Sequence, residues 1–364
     1  MQVRDNSNSP KTRLFNTVID HHAADFWLQK LNPLWSTGQA LGKIIKKQQI
    51  ANDMISLTIQ TNRHFRAGLA GQHHPVIIEC NGSRYERTYS LTVLNPQQVV
   101  LSVKKVAQGV VSGWLVDQAQ VGDIIEFGRP YGDMSLNNIQ PNLVLLAAGS
   151  GITPMYSLLE SLAQQKDFEH KNVQLLYWVK TSADSAFQAY FEQLSQKHPQ
   201  FQFQIFYTQA EADESAMTAA PLQQRINPAH LDLVGDVANS SVYACGPSGF
   251  VAKVEALFAQ SPDLKTEAFS LSPMANDATG TVSITLSKSQ KTVTIAKGQS
   301  ILEGLEQQNI RPTYGCRMGI CNKCVCPKAQ GATKNLVNGS ENTEPGNLLK
   351  LCVNSAQTDL IIDL

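Results

Sequence analysis

Charge is scarce in this sequence and carries no net sign. Thirty Lys and Arg stand against thirty Asp and Glu, and charged residues make up 16% of the 364, where an average soluble protein has about 25%. This excludes a broadly basic nucleic-acid surface, and with it a nucleic-acid partner. Long apolar runs are missing too. The longest beside a strand pattern is Leu143–Ala148, far short of the ~18 residues that a membrane helix needs. The N-terminal stretch, with Arg4, Asp5 and a string of Asn and Ser, lacks the apolar core of a signal peptide. A cytoplasmic, reducing environment is therefore expected. Hydrophobic residues reach 42%, enough for packed cores and against wholesale disorder. The length suits two or three domains.

Cysteine is unevenly spread. Of seven, Cys316, Cys321, Cys324 and Cys326 crowd into one short stretch, and Cys80, Cys245 and Cys352 lie apart. Such clustering in a large chain points to metal or cluster ligation, not to a disulfide scaffold. Four residues separate Cys316 from Cys321 and two separate Cys321 from Cys324, with Cys352 far downstream. That is the plant-type spacing for a 2Fe-2S cluster, in which one loop offers three thiolates and a distant strand the fourth. A zinc site calls for two close pairs, and one is present. Gly315 and Gly319 let the loop backbone approach inorganic sulfide. Cys326, two residues past a ligand, reads as a small buried residue. Nearby, Val282, Ile284 and Leu286 alternate with polar residues as Val293 and Ile295 do, a hairpin pattern. Ser300 and Glu303 open a short capped helix.

The stretch 281–364 resembles the plant-type ferredoxin family. The resemblance implies a β-grasp 2Fe-2S domain with Cys316, Cys321, Cys324 and Cys352 as ligands. One departure is its charge: nine Lys and Arg against six Asp and Glu, where soluble plant ferredoxins are acidic. Arg317 and Lys323, inside the cluster loop, are therefore expected to meet an acidic face of an external acceptor.

Between Leu41 and Met134 the chain alternates like strands with frequent turns: Met54–Ile59, Pro75–Glu79, Tyr85–Val93, Val99–Val106, Ile124–Phe127. This predicts a small antiparallel barrel. Within it Arg87-Thr88-Tyr89-Ser90 places Arg87 and Tyr89 on one face of a strand and Thr88 and Ser90 on the other. Gly71-Gln72-His73 precedes it, and Gly109-Val110-Val111-Ser112 follows. In that order these motifs resemble the ferredoxin–NADP reductase family. The resemblance implies FAD, with Arg87 on a flavin phosphate, Tyr89 stacked on the isoalloxazine and Ser90 near its reactive nitrogen. Thr88 belongs to the same cofactor strand. Gly109, Val110, Val111 and Ser112 would cradle the pyrophosphate with backbone N–H groups and a hydroxyl. Of His73 and His74, adjacent on a strand and so facing opposite ways, one is expected to line the flavin and one to be structural.

Leu143–Ala148 reads as a buried parallel strand that runs into Gly149-Ser150-Gly151-Ile152-Thr153-Pro154. Thr153 suits a helix N-cap and Pro154 the first helical position, so the turn predicts a pyrophosphate site at a helix start. Strands at Val173–Val179, Phe203–Tyr207 and Ser241–Ala244 continue an α/β alternation. Gly-x-Gly-x-Thr-Pro is the reductase family's form of the turn. The family's Cys-Gly-Pro turn, here Cys245, Gly246 and Pro247, would lie under the nicotinamide, with Cys245 positional and not a nucleophile. The second strand ends in Lys180-Thr181-Ser182, with no carboxylate before Asp184. Lys180 and Ser182 would suit a 2′-phosphate, which favours NADPH over NADH.

The expected architecture is multidomain: an N-terminal extension 1–38, an antiparallel β-barrel flavin domain 39–138, an α/β nucleotide-binding domain 139–271, a linker 272–280 and a β-grasp 2Fe-2S ferredoxin domain 281–364. Phe26, Trp27, Leu31, Leu34 and Trp35 in the extension are expected to pack on the chain's own domains. The motif order resembles the electron-transfer reductases of oxygenases, hydroxylases and fatty acyl desaturases. It implies a monomeric NAD(P)H-dependent oxidoreductase in which Ser90 and Cys245 flank hydride transfer. Its electrons would leave the cluster for an external protein, most like a membrane fatty acyl desaturase or hydroxylase, with a peripheral approach to the membrane. A Rieske-type ring-hydroxylating oxygenase is the rival acceptor, and a redox sensor or carrier without turnover the rival class.

Overall fold

A computed structural model of the chain describes residues 21–80, 82–107, 109–165, 167–209, 225–270, 280–337 and 339–364. Residues 1–20 of the expected extension and 272–279 of the expected linker lie outside these.

Strands β1 (Leu41–Ala51), β2 (Met54–Thr61), β3 (His73–Cys80), β4 (Ser83–Asn95), β5 (Gln98–Lys104) and β6 (Ile124–Phe127) close into an antiparallel barrel, in the order β1-β2-β5-β4-β3-β6. The period-two pattern explains it: Leu57 and Ile59 are buried while Thr58 and Gln60 turn outward. They meet Ile44, Val76, Ile78, Leu101 and Ile125 in one core. Closure leaves no free strand edge.

The next unit is a parallel sheet of β7 (Asn142–Ala148), β8 (Asn172–Val179), β9 (Phe201–Tyr207), β10 (Ser240–Pro247) and β11 (Asp263–Ser270), in the order β11-β10-β7-β8-β9. Leu143 to Ala147 are almost wholly buried, as the continuous apolar run of a two-face-covered strand requires. Chain order reverses direction between β7 and β10, so the carboxyl ends of these two neighbours flank the crevice where open α/β sheets bind ligands.

The third unit builds on β12 (Thr281–Leu286), β13 (Lys291–Ala296), β14 (Val325–Gln330), β15 (Leu348–Lys350) and β16 (Leu360–Ile362), in the order β13-β12-β16-β14-β15. The helix Ile301–Gln307 packs Ile301, Leu302 and Leu305 into its core. The Ser300 hydroxyl accepts the Glu303 N–H at 3.2 Å, the expected cap. This is the β-grasp arrangement.

The N-terminal helix His21–Leu31 departs from expectation. Phe26, Trp27, Leu31 and nearby Trp35 are exposed rather than packed on the chain's own domains. The helix is held instead through Asp25, whose carboxylate accepts from the Ser36 hydroxyl at 2.9 Å and the Thr37 N–H at 2.6 Å. Among the described residues, no helix is long and apolar enough to cross a membrane.

Candidate active site and cluster loop

The barrel and the parallel sheet meet at a line of four side chains. Pairing of β3 with β4 sets His73 opposite Ser90 and His74 opposite Tyr89. His73 Nδ1 lies 3.1 Å from Ser90 Oγ, and its Nε2 lies 2.5 Å from Glu267 Oε2. The His73 ring thus bridges the two elements, with one nitrogen on the Ser90 hydroxyl and the other on the Glu267 carboxylate. Glu267 sits on β11 in parallel register beside Cys245 on β10. Cys245 is fully buried, and burial with the Glu267 charge pushes its thiol pKa up. It therefore stays a thiol, which fits a positional role. The two histidines do face opposite ways. His74 packs on Phe65 with rings 5.4 Å apart, and burial lowers its pKa to about 4. Glu267 was missed in the sequence because β11 was. The available signal was the alternation of Leu264, Thr266 and Ala268 with Lys265, Glu267 and Phe269.

On the same face of β4 as Ser90, Thr88 Oγ1 lies 2.5 Å from the Tyr131 hydroxyl, while Tyr89, on the other face, packs against the barrel core. Gly109 precedes the short helix Val110–Gly113, whose first N–H groups have no intrahelical acceptor. The Ser112 hydroxyl is used locally. It accepts the Val106 N–H at 3.2 Å and donates to the Gly109 carbonyl at 3.4 Å.

The glycine turn at the end of β7 differs from the expected cap. Gly149–Gly151 is already a helical turn that continues as the helix Ile152–Gln165, so Thr153 is no N-cap and Pro154 no first position. Pro154 has no N–H for the Ser150 carbonyl four residues back; the Thr153 hydroxyl donates to that carbonyl at 3.2 Å instead. Gly151 is required by proximity: a Cβ there would stand 2.0 Å from the Cys245 carbonyl oxygen. The Gly149–Pro154 turn and the Cys245-Gly246-Pro247 turn are thus pressed together at the crevice. Among the described residues, nothing lies within 4 Å of a Cβ placed on Gly149, so the space above the turn is open to a ligand. Lys180 and Ser182 lie just past β8 on the same sheet edge. Asp184 folds back there, its carboxylate accepting the Thr181 N–H at 3.1 Å and hydroxyl at 2.8 Å.

The cluster loop abuts the barrel strand that carries Arg87–Ser90. Lys323 Nζ lies 2.6 Å from both Glu86 carboxylate oxygens. The Arg87 guanidinium stands 5.8 Å from the Tyr314 ring centre. A Cβ on Gly315 would come within 2.9 Å of Glu86 Oε1. Lys323 is therefore turned toward the barrel, and Arg317 is paired with Glu306 and stacked 4.2 Å from Tyr314. Both cations are thus engaged within the chain while staying partly exposed.

The thiols fall into two pairs. Cys324 and Cys352 sulfurs are 3.2 Å apart. Cys321 Sγ accepts the Cys316 N–H at 3.2 Å, and Cys316 Sγ accepts N–H groups of Cys321 and Met318 at 3.3 and 3.4 Å. The thiols of Cys321 and Cys324 are drawn down by hydrogen bonds from Cys316 and Cys352. Left-handed backbone at Arg317, Gly319 and Asn322 folds the loop so that its N–H groups point inward. Among the described residues, no three metal-ligating side chains converge on one point. Two thiol pairs fit two irons, each with two terminal thiolates, and do not fit a single zinc. Cys326 is buried, and burial raises its pKa to about 12.

Family models match in the same order along the chain: an oxidoreductase FAD-binding domain at 41–136, an oxidoreductase NAD-binding domain at 145–256 and a 2Fe-2S iron-sulfur cluster binding domain at 284–353. The chain is a ferredoxin–NADP reductase-like flavoprotein with a C-terminal 2Fe-2S domain. It is 29% identical to the NADPH oxidoreductase of Mycobacterium tuberculosis, over 93% of this chain and 88% of that protein. It is 26% identical to the phthalate dioxygenase reductase of Burkholderia cepacia, over 88% of this chain and 96% of that one. A solved phthalate dioxygenase reductase shares the fold, with a TM-score of 0.64, 24% identity, and 90% of this chain and 98% of that one covered. This reductase-type flavoprotein is an oxidoreductase that passes electrons from NAD(P)H through FAD to a 2Fe-2S cluster. Bound flavin supplies the exchange between a two-electron hydride and single electrons. The polypeptide supplies position: Ser90, His73 and Glu267 hold one hydrogen-bonded line at the barrel–sheet border, and Glu86 and Lys323 hold the cluster loop to the same strand.

Proposed function

We propose that this reductase feeds a membrane-bound fatty acyl desaturase or hydroxylase, one electron at a time, from the cluster. In this reading Arg87, Tyr89 and Ser90 bind the flavin, with Thr88 bracing Tyr131 behind them. The backbone of Gly109 to Ser112 receives its pyrophosphate. Gly149, Ser150, Gly151, Thr153 and Pro154 form the nucleotide turn, and Cys245, Gly246 and Pro247 seat the nicotinamide. Lys180 and Ser182 meet the 2′-phosphate of NADPH. Cys316 and Cys321 hold one iron, Cys324 and Cys352 the other. The observation that carries the electron route is the contact of Lys323 with Glu86, one residue from Arg87. It brings the cluster loop to the flavin strand within one chain. The exposed aromatic helix ahead of the barrel supports a membrane-bound acceptor.

The likeness to a protein named phthalate dioxygenase reductase favours a second reading, a soluble ring-hydroxylating oxygenase as acceptor. The test is reoxidation of the NADPH-reduced protein under anaerobic stopped flow. Desaturase-containing membranes and a purified ring-hydroxylating oxygenase are offered separately. Faster cluster reoxidation by the membranes supports the first reading; faster reoxidation by the soluble oxygenase replaces it with the second.

A further inference from the structure

We infer that the N-terminal helix and the turn after it form a docking face for an anionic lipid surface. A helix packed on a protein turns its apolar stripe inward; this one is reversed. Ala23, Phe26, Trp27, Lys30 and Leu31, at three- and four-residue spacing, are all exposed. Trp27 is 69% exposed, Leu31 78%, Phe26 55% and Trp35 51%. The polar residue on the inner side is Asp25, buried and bonded to Ser36 and Thr37. Isolated exposed apolar residues need no explanation, but four large ones on one short segment mark an interaction site.

The rim of this face is cationic. Lys30 Nζ lies 5.4 Å from the Phe26 ring centre. Arg63 and His64, from the loop after β2, border a cavity of about 390 Å³ with Leu28, Leu34 and Trp35. Exposed Arg66 donates to the Arg63 carbonyl. Within 23–40 and 62–70 the single carboxylate is buried Asp25, so these segments expose no negative charge. Aromatic side chains ringed by Lys and Arg suit the boundary between acyl chains and anionic headgroups. A second copy fits badly, because a two-fold contact would set Lys30, Arg63 and Arg66 against their own copies. Residues 1–20 fit badly as a cover for the same reason: Arg4, Lys11 and Arg13 outnumber Asp5 and Asp20. A lipid-binding face lends support to the membrane-bound acceptor proposed above, but the assay below uses no acceptor, so failure of lipid binding and failure of that reading are told apart.

The test is co-sedimentation of the full-length FAD- and cluster-loaded protein with vesicles of phosphatidylcholine alone or mixed equally with phosphatidylglycerol. Binding is expected to the mixed vesicles and to weaken with salt. Trp27→Ser with Leu31→Ser should weaken it about tenfold or more, and Lys30→Gln with Arg63→Gln should flatten the salt dependence. Both variants should keep full NADPH-driven cytochrome c reduction, which shows that they are folded. No binding to mixed vesicles overturns the inference, as does binding that the Trp27→Ser/Leu31→Ser variant leaves unchanged. Binding that appears only after deletion of residues 2–20 overturns it in favour of that segment as the occupant. Self-association lost in the same double variant, without lipid binding, overturns it in favour of a second copy.

Discussion

Lys323 of the cluster loop and Glu86 of the flavin barrel, 237 positions apart, form a two-pronged contact at 2.6 Å. The lysine is 41% exposed and the carboxylate 18%, so the pair adds at most about 1 kcal/mol to stability. Its importance is geometric. Lys323→Gln is expected to slow flavin-to-cluster transfer several-fold. Ferricyanide reduction, which draws on the flavin directly, should be unchanged. The exchanged pair Glu86→Lys/Lys323→Glu should recover part of the rate. Stopped-flow absorbance at separate flavin and cluster wavelengths reads both.

Gly315→Ala tests the same border by steric means. A Cβ there meets the side chains of Glu86, Cys321 and Lys323 at 2.9 to 3.0 Å, so the Glu86–Lys323 contact must rearrange. The expected outcome is a full complement of iron with slower internal transfer, checked by iron analysis beside stopped flow.

The two-pair arrangement of thiols makes a distinct claim about ligands. Purified protein should hold about two irons per chain. Cys352→Ser should abolish the reduced-cluster EPR signal, and Cys326→Ser should leave it. The reverse result would reassign the fourth ligand.

The motifs that lie in one stretch were legible in the sequence: the cysteine loop, Arg87–Ser90, the Gly149 turn and the Cys245 turn all sit where local patterning put them. What joins them was not. His73 to Glu267 and Glu86 to Lys323 bridge different sheets, and no local period encodes a contact over such separations. Edge strand β11 carries Asp263, Lys265 and Glu267 among its apolar residues, so it lacked a continuous hydrophobic signature. Thr153 and Pro154 look like a helix start, but the helical turn begins at Gly149, and the Thr153 hydroxyl bonds the Ser150 carbonyl that the proline has no N–H to reach.

His74 sets an acid limit on the fold. Its pKa falls from 6.5 to about 4 on folding because of burial. The unfolded chain therefore takes up a proton first as pH drops. Stability from this group is complete above about pH 6.5 and is lost progressively down to about pH 4. The loss amounts to about 3 kcal/mol at 1.4 kcal/mol per unit. Urea unfolding of the wild-type protein and His74→Gln across that range should show a shallower acid loss in the variant.

Nucleotide choice depends on the end of β8. Asp184 is engaged with Thr181, and the proposal gives the 2′-phosphate to Lys180 and Ser182. Lys180→Ala should raise the KM for NADPH and leave that for NADH nearly unchanged. Equal effects on both nucleotides would reject the role.

The central claim is that electrons cross from flavin to cluster inside one chain, over the contact of Glu86 with Lys323. The most direct test mixes the oxidised protein anaerobically with NADPH at a series of protein concentrations and follows the cluster by rapid-freeze EPR. Flavin bleaching should precede the cluster signal, and the rate of cluster reduction should not depend on protein concentration. A rate that rises in proportion to concentration would show transfer between chains and contradict the account.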